Sequence, residues 1–202
     1  MIKKTLILLL LVVTVFCAGY RRPHKYVIEA EKDAFYHNNL GINYLKDRIY
    51  YAAVQEFKIA ISLSPSTQAT AIFYNNLGET YIFIGYPDMA RDCFENAIRL
   101  YGLNFKYYIN MGECYINLGI AQDKKSELRN SENVYDKILL GILYIKTGET
   151  RRGINLLDEV CANEPDLLIT PAIKQYLSEV IKSLKNEPQT NQVNPEVPTV
   201  LP

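Results

Sequence analysis

Catalysis at a protein site needs a nucleophile, a base or a bound metal, and the histidines and cysteines of this chain are His24, His37, Cys17, Cys93, Cys114 and Cys161. Two histidines with no cysteine or carboxylate placed by motif to work with them form neither a base–nucleophile pair nor a metal set. The cysteines have no C-x-x-C spacing, which leaves zinc binding and dithiol redox chemistry without their usual ligand pattern. Cys93 beside Phe94, Cys114 beside Tyr115 and Cys161 beside Val160 read instead as small residues at or near buried helix faces. No glycine-rich phosphate loop is present, because the glycines fall at helix stops or close-packing positions. The expectation is a protein with no cofactor, no metal and no catalytic activity.

The elements that carry these side chains are helical hairpins. The clearest is residues 74–102, YNNLGETYIFIGYPDMARDCFENAIRLYG. Leu77, Gly78 and Tyr81 share one face of a first helix that Gly85 stops, glycine being the residue best able to turn left-handed past a helix end. A second helix begins near Pro87 and Asp88, where a missing N–H and an acid near the positive end of the dipole are both favoured. It carries Ala90, Phe94 and Ala97 on one stripe and ends at Gly102. Small residues at Gly78, Ala90 and Ala97 let the two backbones approach, and Tyr81 and Phe94 fill the space beside them.

The unit recurs. Leu40, Gly41, Tyr44, Ala53, Phe57, Ala60 and Pro65 stand at the same offsets as Leu77, Gly78, Tyr81, Ala90, Phe94, Ala97 and Gly102. Met111, Gly112, Tyr115 and Gly119 begin a third copy, and Leu140, Gly141, Tyr144, Gly148, Gly153, Leu157, Val160 and Pro165 make a fourth. The chain therefore resembles the tetratricopeptide repeat family, whose unit of ~34 residues has Leu-Gly, Tyr, Ala, Phe and Pro at these places. The family's Trp is replaced by His37, Tyr74, Tyr108 and Lys137, so the resemblance makes His37 a packing residue. Gly41, Gly78, Gly112 and Gly141 are 37, 34 and 29 residues apart, which marks an insertion at the first junction and a shortened third copy. There Lys124 replaces the packing alanine, residues 123–133 are polar, and the stack is expected to bend or fray.

The resemblance implies an all-α fold, an α-solenoid of about four hairpins near residues 34–67, 71–104, 105–133 and 134–167, within a domain of residues 25–185. A closing helix at residues 171–185 is expected: Thr170 and Pro171 form its start, and Ile173, Tyr176, Leu177, Val180, Ile181 and Leu184 give it one apolar face over the open end of the stack. The resemblance also implies a concave groove for a segment of another protein, lined by the stripe about a third of a turn from Leu-Gly…Tyr. That stripe holds Phe35, Asn38, Ile42 and Leu45, then Ile72, Asn75, Glu79 and Ile82. It continues with Lys106, Ile109, Glu113 and Ile116, then Tyr135, Ile138, Ile142 and Ile145. Such a lining suits an apolar-anchored helix or extended segment, with Glu79 and Glu113 available to a basic residue. The alternative for the same stripe is core, covered by neighbouring repeats or by the tail. The Asn38-Asn39 and Asn75-Asn76 pairs are read as structural. Of the carboxylate clamp of the family's co-chaperones, Asn76 and Lys106 are present, but Asn38, Ile42 and Asn110 stand where Lys, Asn and a basic residue are needed. Cys93 and Cys114, on neighbouring helices of such a stack, are the pair a disulfide would join.

The chain's 202 residues bound this to one domain with tails, and 49% hydrophobic content, 16 tyrosines included, is enough for a core. Twenty-two basic residues balance 22 acidic ones, and with no basic stripe a nucleic-acid partner is not expected. Residues 1–19 read as a targeting segment: Lys3 and Lys4, an apolar run over 5–17, then the small residues Ala18 and Gly19. Cleavage and export to the periplasm or outside come first, a retained membrane anchor second, and lipidation of Cys17 third, since bulky Phe16 precedes that cysteine. Membrane contact is expected through this segment alone. Residues 186–202, rich in proline and free of aromatics, read as a disordered tail. The function expected is a protein-binding scaffold of the cell envelope, with a self-associating structural subunit as the alternative.

Overall fold

The computed structural model describes residues 33–186. The leader or anchor at 1–19, Cys17, His24, the lead-in from residue 25 and the tail at 187–202 lie outside the described residues. Within them the chain is all helix, and no helix there is long and apolar enough to cross a membrane. The helices are α1 (Ala34–Lys46), α2 (Tyr50–Leu63), α3 (Gln68–Phe83), α4 (Pro87–Leu100), α5 (Phe105–Asn117), α6 (Ala121–Leu128), α7 (Val134–Lys146), α8 (Thr150–Asn163) and α9 (Thr170–Asn186).

Polar caps start the first helices of the hairpins. Asp33 accepts the Tyr36 N–H at 2.8 Å, Asn104 that of Lys106 at 3.1 Å, and Asn133 that of Tyr135 at 2.8 Å. Thr67 and Thr70 cap α3 reciprocally, at 3.3 and 3.1 Å. Three hairpin turns use glycine with positive φ, Gly85, Gly119 and Gly148, at 79°, 72° and 91°; in the first turn Arg48 adopts φ 60°.

Within three hairpins the helices interlock at the repeat glycine. A Cβ added to Gly41 would lie 2.7 Å from Phe57, one on Gly78 2.6 Å from Phe94, and one on Gly141 2.7 Å from Leu157, so only hydrogen fits beneath those side chains. The third hairpin departs from this. Its α6 has eight residues where α2, α4 and α8 have fourteen, and nothing from α6 lies within 4 Å of a Cβ at Gly112. Ile142 of α7 fills that place instead, at 3.0 Å. The shortened repeat expected from the polar run thus drops the next first helix directly onto α5. Short α6 is tied down by Lys125, buried at 4% exposure, which pairs with Glu149 at 2.7 Å and donates to Thr147 at 3.0 Å.

The closing helix α9 is built like the first helix of a further unit. Thr170 donates to the carbonyl of Glu164 at 2.7 Å, as Thr70 donates to that of Ser64. Thr170, Ile173 and Leu177 are buried as Thr70, Phe73 and Leu77 are, at identical offsets. Toward its end the apolar stripe runs out of neighbours, leaving Ile181 and Leu184 exposed.

Candidate functional site

The stripe expected to line a groove divides into an open half and a closed half. On α1 and α3, Phe35 and Ile72 are 54% and 46% exposed, and Ile42, Leu45 and Ile82 are half-buried. Phe35 stands edge-on to Phe73, centroids 5.6 Å apart. A cavity of about 230 Å³ follows where α3 meets α5, lined by Glu79, Ile82, Phe83, Phe94, Asn110 and Glu113. Ile109 is half-buried and Ile116 stays exposed.

The closed half corrects two positions. Ile138 and Ile142 are fully buried, so they are core and not groove. The cause is the short third repeat: α7 sits down on Gly112, and Tyr176 of α9 reaches the Phe105 ring of α5, centroids 5.3 Å apart. Between α5 and α9 remains a cavity of about 420 Å³ that takes in Lys106, Ile109, Tyr176 and Glu179. Tyr135 belongs to neither half. It stacks on Tyr108, centroids 6.0 Å apart, in a cleft against α4. Ile145 is half-buried against the core.

Polar residues of the stripe are engaged mainly with one another. Asn38 and Asn75 are buried, at 5% and 3% exposure, and serve the joints between first helices. Asn76 donates to Asn38 at 2.9 Å. Asn110 donates to Asn75 at 2.7 Å and to Glu79 at 2.8 Å, and Asn75 donates to Glu79 at 3.0 Å. Glu79 also pairs with Lys106 at 2.6 Å, and Glu113 with Lys146 at 2.5 Å. Asn76 and Lys106, the two residues that match the clamp, thus have internal partners. The asparagines act as an inter-repeat ladder, and Asn110, outside the expected stripe, is its centre. Its place one helical turn from Lys106 and directly before Met111-Gly112 was a usable signal.

His37 also has a partner that sequence reasoning missed. Its Nδ1 lies 2.6 Å from the Glu56 carboxylate, while Nε2 is buried without a hydrogen-bond partner. Glu56 gives no local sign of this, because the contact depends on how α2 packs against α1. Cys93, Cys114 and Cys161 are buried free thiols, so Cys93 and Cys114, the pair left open by the sequence, are not joined. Burial pushes Cys93 up to about 12 and Cys114 up to about 11, and the Cys114 thiol donates to the Pro87 carbonyl at 3.2 Å. Such thiols stay protonated and unreactive near neutral pH. Among the described residues no three His, Cys, Asp or Glu side chains gather as a metal ion would need.

No curated protein sequence matches the chain. Several solved structures have a similar helical outline. MamA is 18% identical, covering 77% of this chain and 90% of its own, with a TM-score of 0.46. The second TPR domain of human RPAP3, solved in complex with the HSP70 peptide SGPTIEEVD, is 19% identical, with coverage of 55% and 93% and a TM-score of 0.44. TTC0263, a thermophilic TPR protein of Thermus thermophilus, is 20% identical, with coverage of 75% and 82% and a TM-score of 0.44. Those identities transfer no ligand and no partner. The tetratricopeptide repeat model matches residues 71–102, which makes α3 and α4, with the interlock of Gly78 and Phe94, a tetratricopeptide repeat, and the same interlock recurs at Gly41 and Gly141.

Proposed function

We propose that this protein is a non-catalytic scaffold that seats a segment of another protein on the inner stripe of its first two hairpins. The observation that carries the reading is the contrast along the stripe: α1 and α3 leave Phe35 and Ile72 about half exposed, whereas α7 is covered. Exposed apolar side chains in a row suit a segment with aliphatic or aromatic anchors, while Glu79 and Glu113 of the neighbouring cavity are already paired with Lys106 and Lys146. The incomplete clamp argues against recognition of a free C-terminal carboxylate. The targeting segment at 1–19 supports export, and with it a role at the cell envelope.

A photo-crosslinking residue at Phe35, Ile72 and, as outer-face control, the exposed Gln55 tests the reading in cells. One partner captured at the first two positions and absent at the third is expected; equal capture at Gln55 would sink the inner-face assignment. The intact mass of the protein from membrane and soluble fractions tests export: loss of the leader from a soluble protein is expected, and a full-length mass in the membrane fraction would show a retained anchor.

Self-association is a second reading. Phe83, stacked on Tyr50 with centroids 5.9 Å apart, is 63% exposed, and Tyr51, Tyr86 and Met89 are exposed as well. A dimer mass for the purified protein without partner would favour it; a monomer at high concentration would remove it.

A further inference from the structure

The early end of α6 leaves a cleft of about 510 Å³ between the C-terminal half of α4, the face of α5 and the first turn of α7. That volume lies within the ~300–1,000 Å³ of small-molecule sites. Tyr108, Met111 and Tyr115 of α5, which line it, correspond in register to Tyr74, Leu77 and Tyr81 of α3, where the second helix runs its full length. The floor is therefore a packing surface whose covering turns are missing. Leu139 and Ile98 extend its apolar area, and the Tyr108 and Tyr135 rings stack 11° from parallel. The Tyr108 hydroxyl donates to the Gly102 carbonyl at 2.8 Å, so the cleft meets the ring and not a free hydroxyl.

Two walls carry carboxylates, Glu95 on α4 and Asp136 on α7. The cation nearest Glu95 is Arg91 at 3.9 Å, a guanidinium shared more closely with Asp88 at 3.3 Å and Asp92 at 3.1 Å. Asp136 accepts from the Ser131 hydroxyl at 2.6 Å. Opposing them is Arg99, which donates to Asn96 at 2.7 Å, and the positive end of α7 is capped by Asn133. Lys124 lies 5.6 Å from the Tyr115 ring centroid but is paired with Glu127 at 2.8 Å. The balance of the charges is negative, while both tyrosine phenols are raised first by burial. Burial, then Tyr135 and Asp136, raises the Tyr108 phenol above its ordinary pKa; burial, then Glu95 and Glu127, pushes Tyr115 up to about 12.

We propose that this cleft binds a compact organic cation, an ammonium or guanidinium on an aromatic or aliphatic body. The body rests on Met111 and the tyrosine rings, and the charge faces Glu95 and Asp136. Anionic ligands are rejected by the same carboxylates. A free amine and a Lys or Arg side chain on a partner segment share this chemistry.

The test is an NMR titration of the purified protein, following backbone amides, with phenethylamine, phenethyl alcohol, phenylacetate and the peptide acetyl-Phe-Lys-amide. Saturable shifts at Tyr108, Met111, Tyr135 and Asp136 are expected with phenethylamine, about tenfold weaker with the alcohol and absent with phenylacetate. Raising salt from roughly 20 to roughly 300 mM should weaken amine binding several-fold. Asp136→Asn, with an unchanged helical spectrum, should lower affinity about fivefold, and Glu95→Gln gives a second check at a more exposed position. Tighter binding of the peptide than of the amine identifies a partner segment as the source, and the reverse a free small molecule. Equal shifts from alcohol and amine, preference for phenylacetate, or shifts mapping elsewhere would overturn the proposal.

Discussion

The α3–α4 and α5–α6 hairpins start from nearly the same first helix and end in opposite packing. In α3–α4, Gly78 lies under the Phe94 ring, which is 1% exposed, and fourteen residues of α4 cover the face that Leu77 and Tyr81 present. In α5–α6, Gly112 offers the same gap, but α6 stops after eight residues, and the gap is filled from the next unit by Ile142. A repeat stack needs each apolar face covered by something, yet not by its own hairpin. The substitution has two consequences: a cleft opens where the missing turns would lie, and α7 and α9 draw in toward α5 until the C-terminal half of the groove is closed.

The largest way to probe this difference is core truncation. Phe94→Ala should destabilise the protein by about 3–5 kcal/mol, while Leu128→Ala, at the equivalent offset but only half-buried, should lose less than about 1 kcal/mol, both read from urea midpoints. Equal losses would mean that α6 contributes a lock after all. Next in size is the asparagine ladder at the boundary between the two hairpins. Asn110→Leu removes the donor that serves Asn75 and Glu79 and should cost about 1–3 kcal/mol by the same measurement. A change near zero would show that water replaces the amide there.

Hydrogen exchange sharpens the contrast without mutation. Amides of α6 should exchange through local opening well before those of α4, because α6 is short and polar and has few buried anchors besides Ala121 and Lys125. Protection equal to that of α4 would contradict the picture. The smallest effect expected is on acidification. Hydrogen bonds from Lys125 and Arg152 hold the Glu149 carboxyl below its usual range, so its contribution is complete at neutral pH and is lost as pH falls through that lowered value. Carbon chemical shifts of Glu149 and of α6 should therefore move together below the ordinary carboxylate range. Movement of Glu149 alone would show that the pair does not hold α6.

Much of the fold could be read from residue spacing. The seven shared offsets of the first two units carry helix, turn and interlock together, since Gly and Phe sixteen residues apart can meet only if the chain folds back between them. The polar run at 123–133 announced a short α6 for an equally local reason: it has too little apolar surface to bury. The site was less legible. Glu79 and Lys106 were placed on one stripe, but that they pair, and that Asn110 links them to Asn75, depends on the stagger between repeats.

What the sequence determined by itself was local and periodic: helix type, hairpin turns, the repeat register and the weak third unit, all fixed by side chains within one hairpin. What only the tertiary structure decided was the fate of the stripe, open at Phe35 and Ile72, core at Ile138 and Ile142, and diverted into a cleft at Tyr135. The physical reason is that a shortened α6 leaves the place at Gly112 to be filled by Ile142 of the next unit. Exposure along the inner face then depends on contacts such as Phe105 with Tyr176, 71 residues apart in sequence, which no local pattern records.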